Sequence, residues 1–508
     1  MLRFIFSFLL AVLSLSGCGD EANNSGGSGG TGGAGSGGDG GIGGADSAVW
    51  PCTEQGIRDA IAVGGGPNTF LCSGPTTVVT EAPIQIDDDV ILDGEGKLTV
   101  DGGGDHRVFV VGTPMVITPD SVTVEFRNLN ITGGFAELPE VGGGGILSGG
   151  QLTIVNCEIT RNRASGGSGI ESFGDLHIQG SRISENDGTW AISHQGVAIQ
   201  GEALTIVDST ISDNVGGGLL VLRPGGSISR TTISGNRALE EEHGGGISNA
   251  GDLFIWNTVI TGNEAERGGG IWNGGDLSIV DSTVAENAGG EGGGIYNADP
   301  FLPDLPVFGI GLLNLHRSTV SGNTAERGGG IYTAGLWQRI TNSTVSGNSA
   351  NEGGGIAMAG TKEGPSSLTL ANTTVADNAA NEGSAIWALG ELPELRFVGA
   401  IVAGSCHEAE GTVDWVSNGS NIESPGDTCN FSQMSDQPGV APDALKLGSL
   451  GDNGGFTDTH APEAGSVAID AMLPEDCALS LPEPLDDQRY LNRPLGPACD
   501  AGSVEFEE

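Results

Sequence analysis

One hydrophobic register recurs nine times along the chain: an apolar residue, an Ile or Val five positions on, and an Asn three positions after that. The sets are Ile154/Ile159/Asn162, Ile178/Ile183/Asn186, Ile206/Ile211/Asn214, Ile228/Ile233/Asn236, Ile255/Ile260/Asn263, Ile279/Val284/Asn287, Leu315/Val320/Asn323, Ile340/Val345/Asn348 and Leu370/Val375/Asn378. Only the remainder of each repeat changes length. Alternation around these anchors predicts short strands. In one unit Gly244-Gly245-Gly246-Ile247 opens the first, Leu253 and Ile255 share the inner face of the second, Val259-Ile260 makes the third, and Asn263 closes it. A single unit cannot bury its apolar face, so stacked units must share one interior. The pattern therefore predicts an all-β parallel solenoid with three short strands per coil.

Gly triplets at 244–246, 268–270, 292–294, 328–330 and 353–355 fall where a chain turning tightly between strands needs positive φ or close backbone approach. They do not form a nucleotide loop, because no Lys-Ser/Thr follows and no helical pattern opens after them. The recurring Asn is expected to stack on its counterparts above and below and to bond the corner backbone. Open ends of such a stack need covers. Glu54, Ile57, Ala60 and Ile61 lie at helical spacing, which predicts an amphipathic helix over 53–62 lying on the first coil. Residues 76–111 supply the opening strands.

The Gly-Gly-Gly-Ile and Ile-x-x-Asn combination resembles the repeats of polymorphic outer-membrane proteins, and 84–401 resembles the right-handed parallel β-helix family. With coils ~4.8 Å apart, on the order of a dozen would make a rod roughly 60 Å long. From Leu447 the pattern changes. Leu447-Gly448-Ser449-Leu450-Gly451-Asp452-Asn453-Gly454-Gly455, Thr459-His460-Ala461, Asp487-Gln488-Arg489, Arg493-Pro494 and Cys499-Asp500-Ala501-Gly502-Ser503-Val504-Glu505 together resemble the choice-of-anchor Q domain. That likeness implies a surface protein whose anchor varies between members, and this segment is expected to cover the lower end of the solenoid.

Residues 1–18 carry Arg3, an apolar run too short to span a bilayer, and Leu15-Ser16-Gly17-Cys18. This resembles a bacterial lipoprotein signal, which implies cleavage before Cys18, lipidation of that residue and anchoring by its acyl chains. Ordinary secretion is the alternative. Gly19 follows, with no Asp beside Cys18, and by resemblance this favours the outer membrane over the inner one. The organisation expected is signal 1–18, Gly/Ser-rich flexible tether 19–48, N-terminal cap 49–75, β-helix 76–405 and C-terminal capping region 406–508. In an oxidising compartment three pairs suggest themselves: Cys52 with Cys72, Cys406 with Cys429, and Cys477 with Cys499. Cys157 is left over, two residues before Ile159, as a buried thiol.

The 65 acidic and 20 basic residues give a net charge of -45, with lysine only at Lys97, Lys362 and Lys446. Such a surface repels phosphate backbones, so nucleic acid is excluded as a partner. It repels polyanionic polysaccharides too, unless a cation bridges them. A monomer is expected.

Many parallel β-helices cleave polysaccharides, yet function has to be argued from a site. By resemblance, pectin lyases of this fold use clustered Asp ligands for calcium with an Arg or Lys base, and the hydrolases use paired Asp residues near a Gly-His-Gly. No Gly-His-Gly or Asn-Thr-Asp occurs here. Asp175, Asp252 and Asp276 recur in Gly-Asp-Leu as turn formers, while Asp87-Asp88-Asp89 and Asp486-Asp487 fit solvated turns or incidental cation sites. His194 and His243 sit at corners lacking the usual residue and are the best lone candidates. No acid and base of separated pKa emerge, so no catalytic residue and no cofactor is assigned; calcium enters only through the pectin-lyase likeness.

Alternation turns the residue after each first-strand Ile outward, which predicts an exposed row of Trp272, Tyr296, Tyr332 and Trp387, interrupted by Ala357. Loop insertions at 195–203, 299–312, 360–367 and 390–394 fall on the next corner. Two readings follow. The row binds glycan or a surface partner, or the rings stack on one another under the loops. The expectation is a lipid-anchored outer-membrane protein displayed at the cell surface, acting in adhesion or envelope structure, with a polysaccharide lyase or glycoside hydrolase as the alternative.

Overall fold

A computed structural model describes residues 48–114, 121–136, 142–195, 203–222, 225–240, 242–297, 311–360, 366–479 and 486–507. The signal, Cys18 and the tether to residue 47 lie outside the described residues, as do most of the inserted loops at 195–203, 299–312 and 360–367.

The protein is a right-handed parallel β-helix. Among the described residues its strands form one sheet of 28, one of 14 and a pair, and the 14 strands neighbour one another strictly in chain order. Each coil follows the register read from the sequence. Ile271–Asn273, Asp276–Val280 and Thr283–Ala285 make the three strands of one turn, and Ala288–Glu291 adds a fourth short segment paired with Glu264–Arg267. Anchors of successive turns are Cα partners, as in Ile178↔Ile206↔Ile228↔Ile255↔Ile279. These five side chains are buried in one continuous core. Strands buried this way at every level derive their stability from the shared interior, since none could hold its shape alone.

The corners are built from polar ladders. Asn186 Nδ2 donates to Asn214 Oδ1 at 3.1 Å and to the Ile159 carbonyl at 2.9 Å, and its backbone N–H donates to the same Asn214 oxygen at 3.0 Å. The pattern repeats through Asn162, Asn214, Asn236, Asn263, Asn287, Asn323, Asn348 and Asn378. The triplet glycines fit around this ladder. Gly268 has φ +65, and a Cβ on Gly270 would stand 2.6 Å from the Gly294 carbonyl and 2.9 Å from Asn287 Nδ2.

The cap helix runs Glu54–Val63 with Thr53 as N-cap, its hydroxyl accepting from Gly56 N–H at 3.2 Å. Ile57, Ala60 and Ile61 enter the core, whereas Glu54 faces out to pair with Arg58 at 2.6 Å. Bonds between Cys52 and Cys72, Cys406 and Cys429, and Cys477 and Cys499 are all formed.

Two expectations change at the far end. Parallel pairing continues past residue 405, through Cys406–Ser417 and Ile422–Ser424, because these strands keep the inward apolar positions of the coils before them. The segment from Leu447 does not close the stack. Cys429 and Phe431 join the solenoid core there, Phe431 standing edge-on to Phe397 with centroids 5.1 Å apart. The C-terminal segment lies instead on the outer face of the 14-strand sheet. Thr319 donates to the Asp458 carbonyl at 2.6 Å, Thr344 to Gln488 Oε1 at 2.7 Å, and Thr374 Oγ1 accepts from Ser503 N–H at 3.0 Å. Beside these contacts, Ile401 and Ile422 pack with Leu445, Ala468 and Ala501.

Candidate functional site

The column expected to carry an open aromatic row forms as one unbroken register: Leu147, Glu171, Ser193, Leu220, Ser248, Trp272, Tyr296, Tyr332, Ala357, Trp387 and His407 are successive Cα partners. Its exposure is not as expected. Trp272, Tyr296, Tyr332 and Trp387 are between 4 and 8% exposed, in a satellite cluster with Ala250, Ala334 and Ala357. Tyr296 and Tyr332 stack at 5.0 Å with 2° between their planes, His243 stacks on Trp272 at 6.1 Å, and Arg267 lies 5.6 Å over Tyr296. Leu222 and Leu389 pack against the cluster as well. Tyr296 and Tyr332 cover each other, His243 covers Trp272, and small and leucine side chains pack around the rest, so the row is buried.

The lone histidines do not converge. His194 points into the solenoid, its ring nitrogens lack hydrogen-bond partners, and burial pulls it down to about 4, so it is neutral near pH 7. His243 is occupied against Trp272. Cys157 is buried, and burial pushes its thiol up to about 12. It belongs to a second ladder overlooked in the sequence. From Ser181 to Ser343, the residue two before the third-strand anchor accepts from its counterpart in the preceding coil: Ser181 Oγ from Cys157 N–H at 3.0 Å, Ser209 Oγ from Ser181 N–H at 3.1 Å, Ser282 Oγ from Thr258 N–H at 3.1 Å. After Cys157, the run Ser181, Ser209, Thr231, Thr258, Ser282, Ser318, Ser343, Thr373 was visible as a column of small hydroxyls.

Asp252 and Asp276 are register partners at one corner, and Asp87 and Asp89 accept from Gln85 and Thr123 at an exposed turn. The depression lined by Thr153, His177, Ile178, Gln179, Thr205 and Val207 holds a single titratable side chain, which is no acid–base pair. Among the described residues no three His, Cys, Asp or Glu side chains come together as metal ligands.

Two constellations of buried charge do form. In the first, the fully buried Glu171 carboxylate accepts from Gly167 N–H at 2.7 Å, Gln195 Nε2 at 2.7 Å and Ser193 Oγ at 2.9 Å. Burial outweighs these donors and the nearby Arg107, and lifts the group to about 7. A charged residue in a column otherwise small, apolar or aromatic was the available signal.

The second joins the solenoid to the C-terminal segment. Asp486 and Asp487, read as a solvated turn, are buried because each meets an arginine. Arg317 lies between Asp281 at 2.9 Å and Asp486 at 3.4 Å, with the Tyr490 ring 4.1 Å from its guanidinium. The Tyr490 hydroxyl donates to Asp281 Oδ2, the oxygen that also accepts from Trp256 Nε1 at 2.9 Å. Burial and the bond to Asp281 push that hydroxyl up to about 12, and burial together with Arg317 pulls His316 down to about 4. Behind them, Arg489 pairs with Asp487 at 2.9 Å and the fully buried Arg493 with Glu505 at 2.9 Å. These acids and bases hold each other, and the chemistry of the arrangement is that of a clamp.

A family model described as "Right handed beta helix region" matches residues 112–236. No curated protein matches the chain. Among solved structures, the crystal structure of pectate lyase Pel9A is similar at 11% sequence identity, covering 91% of this chain and 97% of that one with a TM-score of 0.32. A match at that score lends no support to any activity.

Proposed function

We propose that this chain is a lipid-anchored β-helix displayed at the outer surface of the cell envelope, where it serves adhesion or envelope structure through non-catalytic contacts. One observation carries the reading: Arg3, an apolar run and Leu15-Ser16-Gly17-Cys18 occur in that order, followed by a Gly/Ser-rich stretch that leads directly into the first strand, Ala48–Trp50. A lipidated Cys18 ahead of the β-helix would hold it at the membrane by its acyl chains. Resemblance of the C-terminal segment to the choice-of-anchor Q domain points the same way. Its Asp487, Arg489, Arg493 and Glu505 then act as the clamp that fixes the segment to the rod.

The test is fractionation of cells expressing the full chain or Cys18→Ala, followed by protease treatment of intact cells. Wild type should sediment with outer membranes and be digested from outside, and the variant should appear in the soluble fraction. A soluble wild type, or a variant that fractionates identically, would end the proposal. Polysaccharide cleavage is the competing reading, and it has a direct assay: release of new chain ends from pectin, alginate or neutral glucans, with and without calcium.

A further inference from the structure

A solenoid ends in open sheet edges, and this chain treats its edges unequally. At the upper end the edge strands Ala48–Trp50, Thr76–Val79 and Ile84–Ile86 are three or four residues long. At the lower end of the 14-strand sheet, Ile422–Ser424 is met by residues 437–440: Glu423 N–H donates to the Gln437 carbonyl at 3.1 Å and Val440 N–H to the Glu423 carbonyl at 2.9 Å. The 28-strand sheet closes differently. Its last strand, Cys406–Ser417, is 12 residues long and is paired on one side only, with Ile386–Val398. Among the described residues every other strand of five or more has strand partners on both sides. A row of backbone donors and acceptors left open in this way is a template for another strand.

Both ends of that edge are stopped. Cys406 N–H donates to Thr428 Oγ1 at 2.8 Å, and the Ser417 carbonyl accepts from Gln433 Nε2 at 3.2 Å. Between them Val413 N–H faces the open side, where it meets Glu408 Oε1 of its own strand at 3.4 Å, while Glu408 Oε2 accepts from Trp415 Nε1, also at 3.4 Å. Bonds of that length are weak and readily exchanged for a partner's backbone. Register with the neighbouring strand shifts on either side of Gly411 and is regular over 414–417. There the inner column Leu368, Leu395, Trp415 ends in a half-buried ring, stacked on Phe397 at 6.1 Å, which one more apolar side chain would cover. The outer column Ser367, Glu394, Asp414 ends in an acid: Glu394 pairs with Arg396 at 2.5 Å, whereas Asp414 is exposed and forms no ion pair among the described residues.

These features select the occupant. Side chains of an added strand alternate, one set lying under Trp415 and the other beside Asp414. A second copy would bring its own acids against Asp414 and Glu408, on a chain whose net charge is already -45. We propose that the edge at 413–417 takes up an extended segment of another protein by β-strand addition, one in which apolar and basic residues alternate. The incoming backbone replaces Glu408 at Val413, its apolar residues cover Trp415, and a Lys or Arg pairs with Asp414. This partner class rests on the display reading above and deepens it.

Fluorescence anisotropy of a labelled octapeptide alternating Lys and Val, titrated with the full chain in detergent, tests it. Wild type should bind this peptide about tenfold more tightly than the same peptide N-methylated at alternate amides, which keeps every charge and side chain and loses the strand bonds. Val413→Pro removes the open-side N–H, a change an edge strand tolerates, and should weaken binding about tenfold, its fold checked by thermal unfolding. Asp414→Lys leaves the backbone intact and should weaken binding as well. Absence of binding overturns the proposal. Equal binding of the methylated peptides, or variants that bind as wild type does, would assign the affinity to diffuse charge and overturn it too. A preference for an alternating Glu and Val peptide has the same force, as do dimers of the chain that Val413→Pro disperses, which would give the edge to a second copy. Solubilised chain reports binding wherever the protein resides, so failure here leaves the fractionation result standing, and the reverse also holds.

Discussion

In the 14-strand sheet, early and late coils have the same interior and opposite exteriors. The inward residues Ile159, Ile183, Ile211 and Ile233 are as completely buried as Val320, Val345 and Val375. Outside, Glu158, Arg182 and Val259 stand exposed, whereas Thr319, Thr344 and Thr374 at the equivalent position are buried beneath the C-terminal segment. The repeat therefore specifies the solenoid, and a segment outside the repeat specifies what one half of it presents to the world. Gln488 shows how. It bonds Thr344 across 144 positions of sequence and Thr319 across 169, using hydroxyls that the early coils also offer at Thr210 and Thr232 but leave uncovered.

The largest difference between the halves should come from removing the clamp. Arg493 donates to Glu505 at 2.9 Å and to the Asp500 and Gly502 carbonyls at 2.9 and 2.6 Å, all buried. Arg493→Ala strands the Glu505 carboxylate without its partner and is expected to cost about 3–5 kcal/mol. In the open half, Arg182 reaches Asp213 only at 3.8 Å with both side chains exposed, and Arg182→Ala should cost less than about 1 kcal/mol. Denaturant midpoints of the two variants check this. Equal losses would mean the covered face is no more tightly built than the open one.

Period carried the fold because stacking forces it. A residue that must lie above its counterpart in every coil leaves a column in the sequence, and the Ile, Asn and triplet-Gly columns all appear in the structure. The hydroxyl column through Ser181, Ser209 and Thr231 was equally periodic and went unread, as small polar residues give no hydropathy signal. Exposure was illegible for a different reason. Alternation tells inward from outward, and it correctly turned Trp272 and Trp387 away from the main core, but whether an outward side chain meets water depends on its neighbours and on what packs over it. The same limit hid the role of Asp281 and Arg317, whose partners Asp486 and Tyr490 lie at the other end of the chain.

Glu171 gives the early coils a sensitivity of their own. Its carboxyl rises from an ordinary 4.5 to about 7 through burial, so the folded state holds the proton more tightly than the unfolded chain. The stabilisation is fully present below 4.5 and is lost as pH rises towards about 7, at about 1.4 kcal/mol per unit within that window. Unfolding midpoints should accordingly fall between pH 5 and 7 in wild type and flatten in Glu171→Gln, which keeps the shape without the charge. Parallel pH profiles would remove Glu171 as the cause.

The Asn ladder should ignore the division between halves. Asn186 and Asn348 each donate to a backbone carbonyl and to the next Asn, in the open and the covered half respectively. Replacing either by Ala leaves buried backbone groups unpaired at about 1–3 kcal/mol, and the two losses should agree. Agreement locates the ladder's value inside the coil; a much larger loss at Asn348 would tie it to the overlying segment.

The smallest contrast isolates a single hydroxyl at the seam. Thr344 donates to Gln488 Oε1 at 2.7 Å, while Thr210 at the same position of an earlier coil has no such cover. Thr344→Val keeps the β-branched shape that suits a strand and removes only the hydroxyl. It should cost about 1–2 kcal/mol, the net worth of the bonds its hydroxyl makes to Gln488 and, at 3.1 Å, to Ser503 Oγ, and Thr210→Val about zero or slightly less than zero, because Val exchanges no partner for a better strand former. If both substitutions are neutral, Gln488 is indifferent to the column beneath it, and the segment is held by its buried charges and the Ile401 cluster alone.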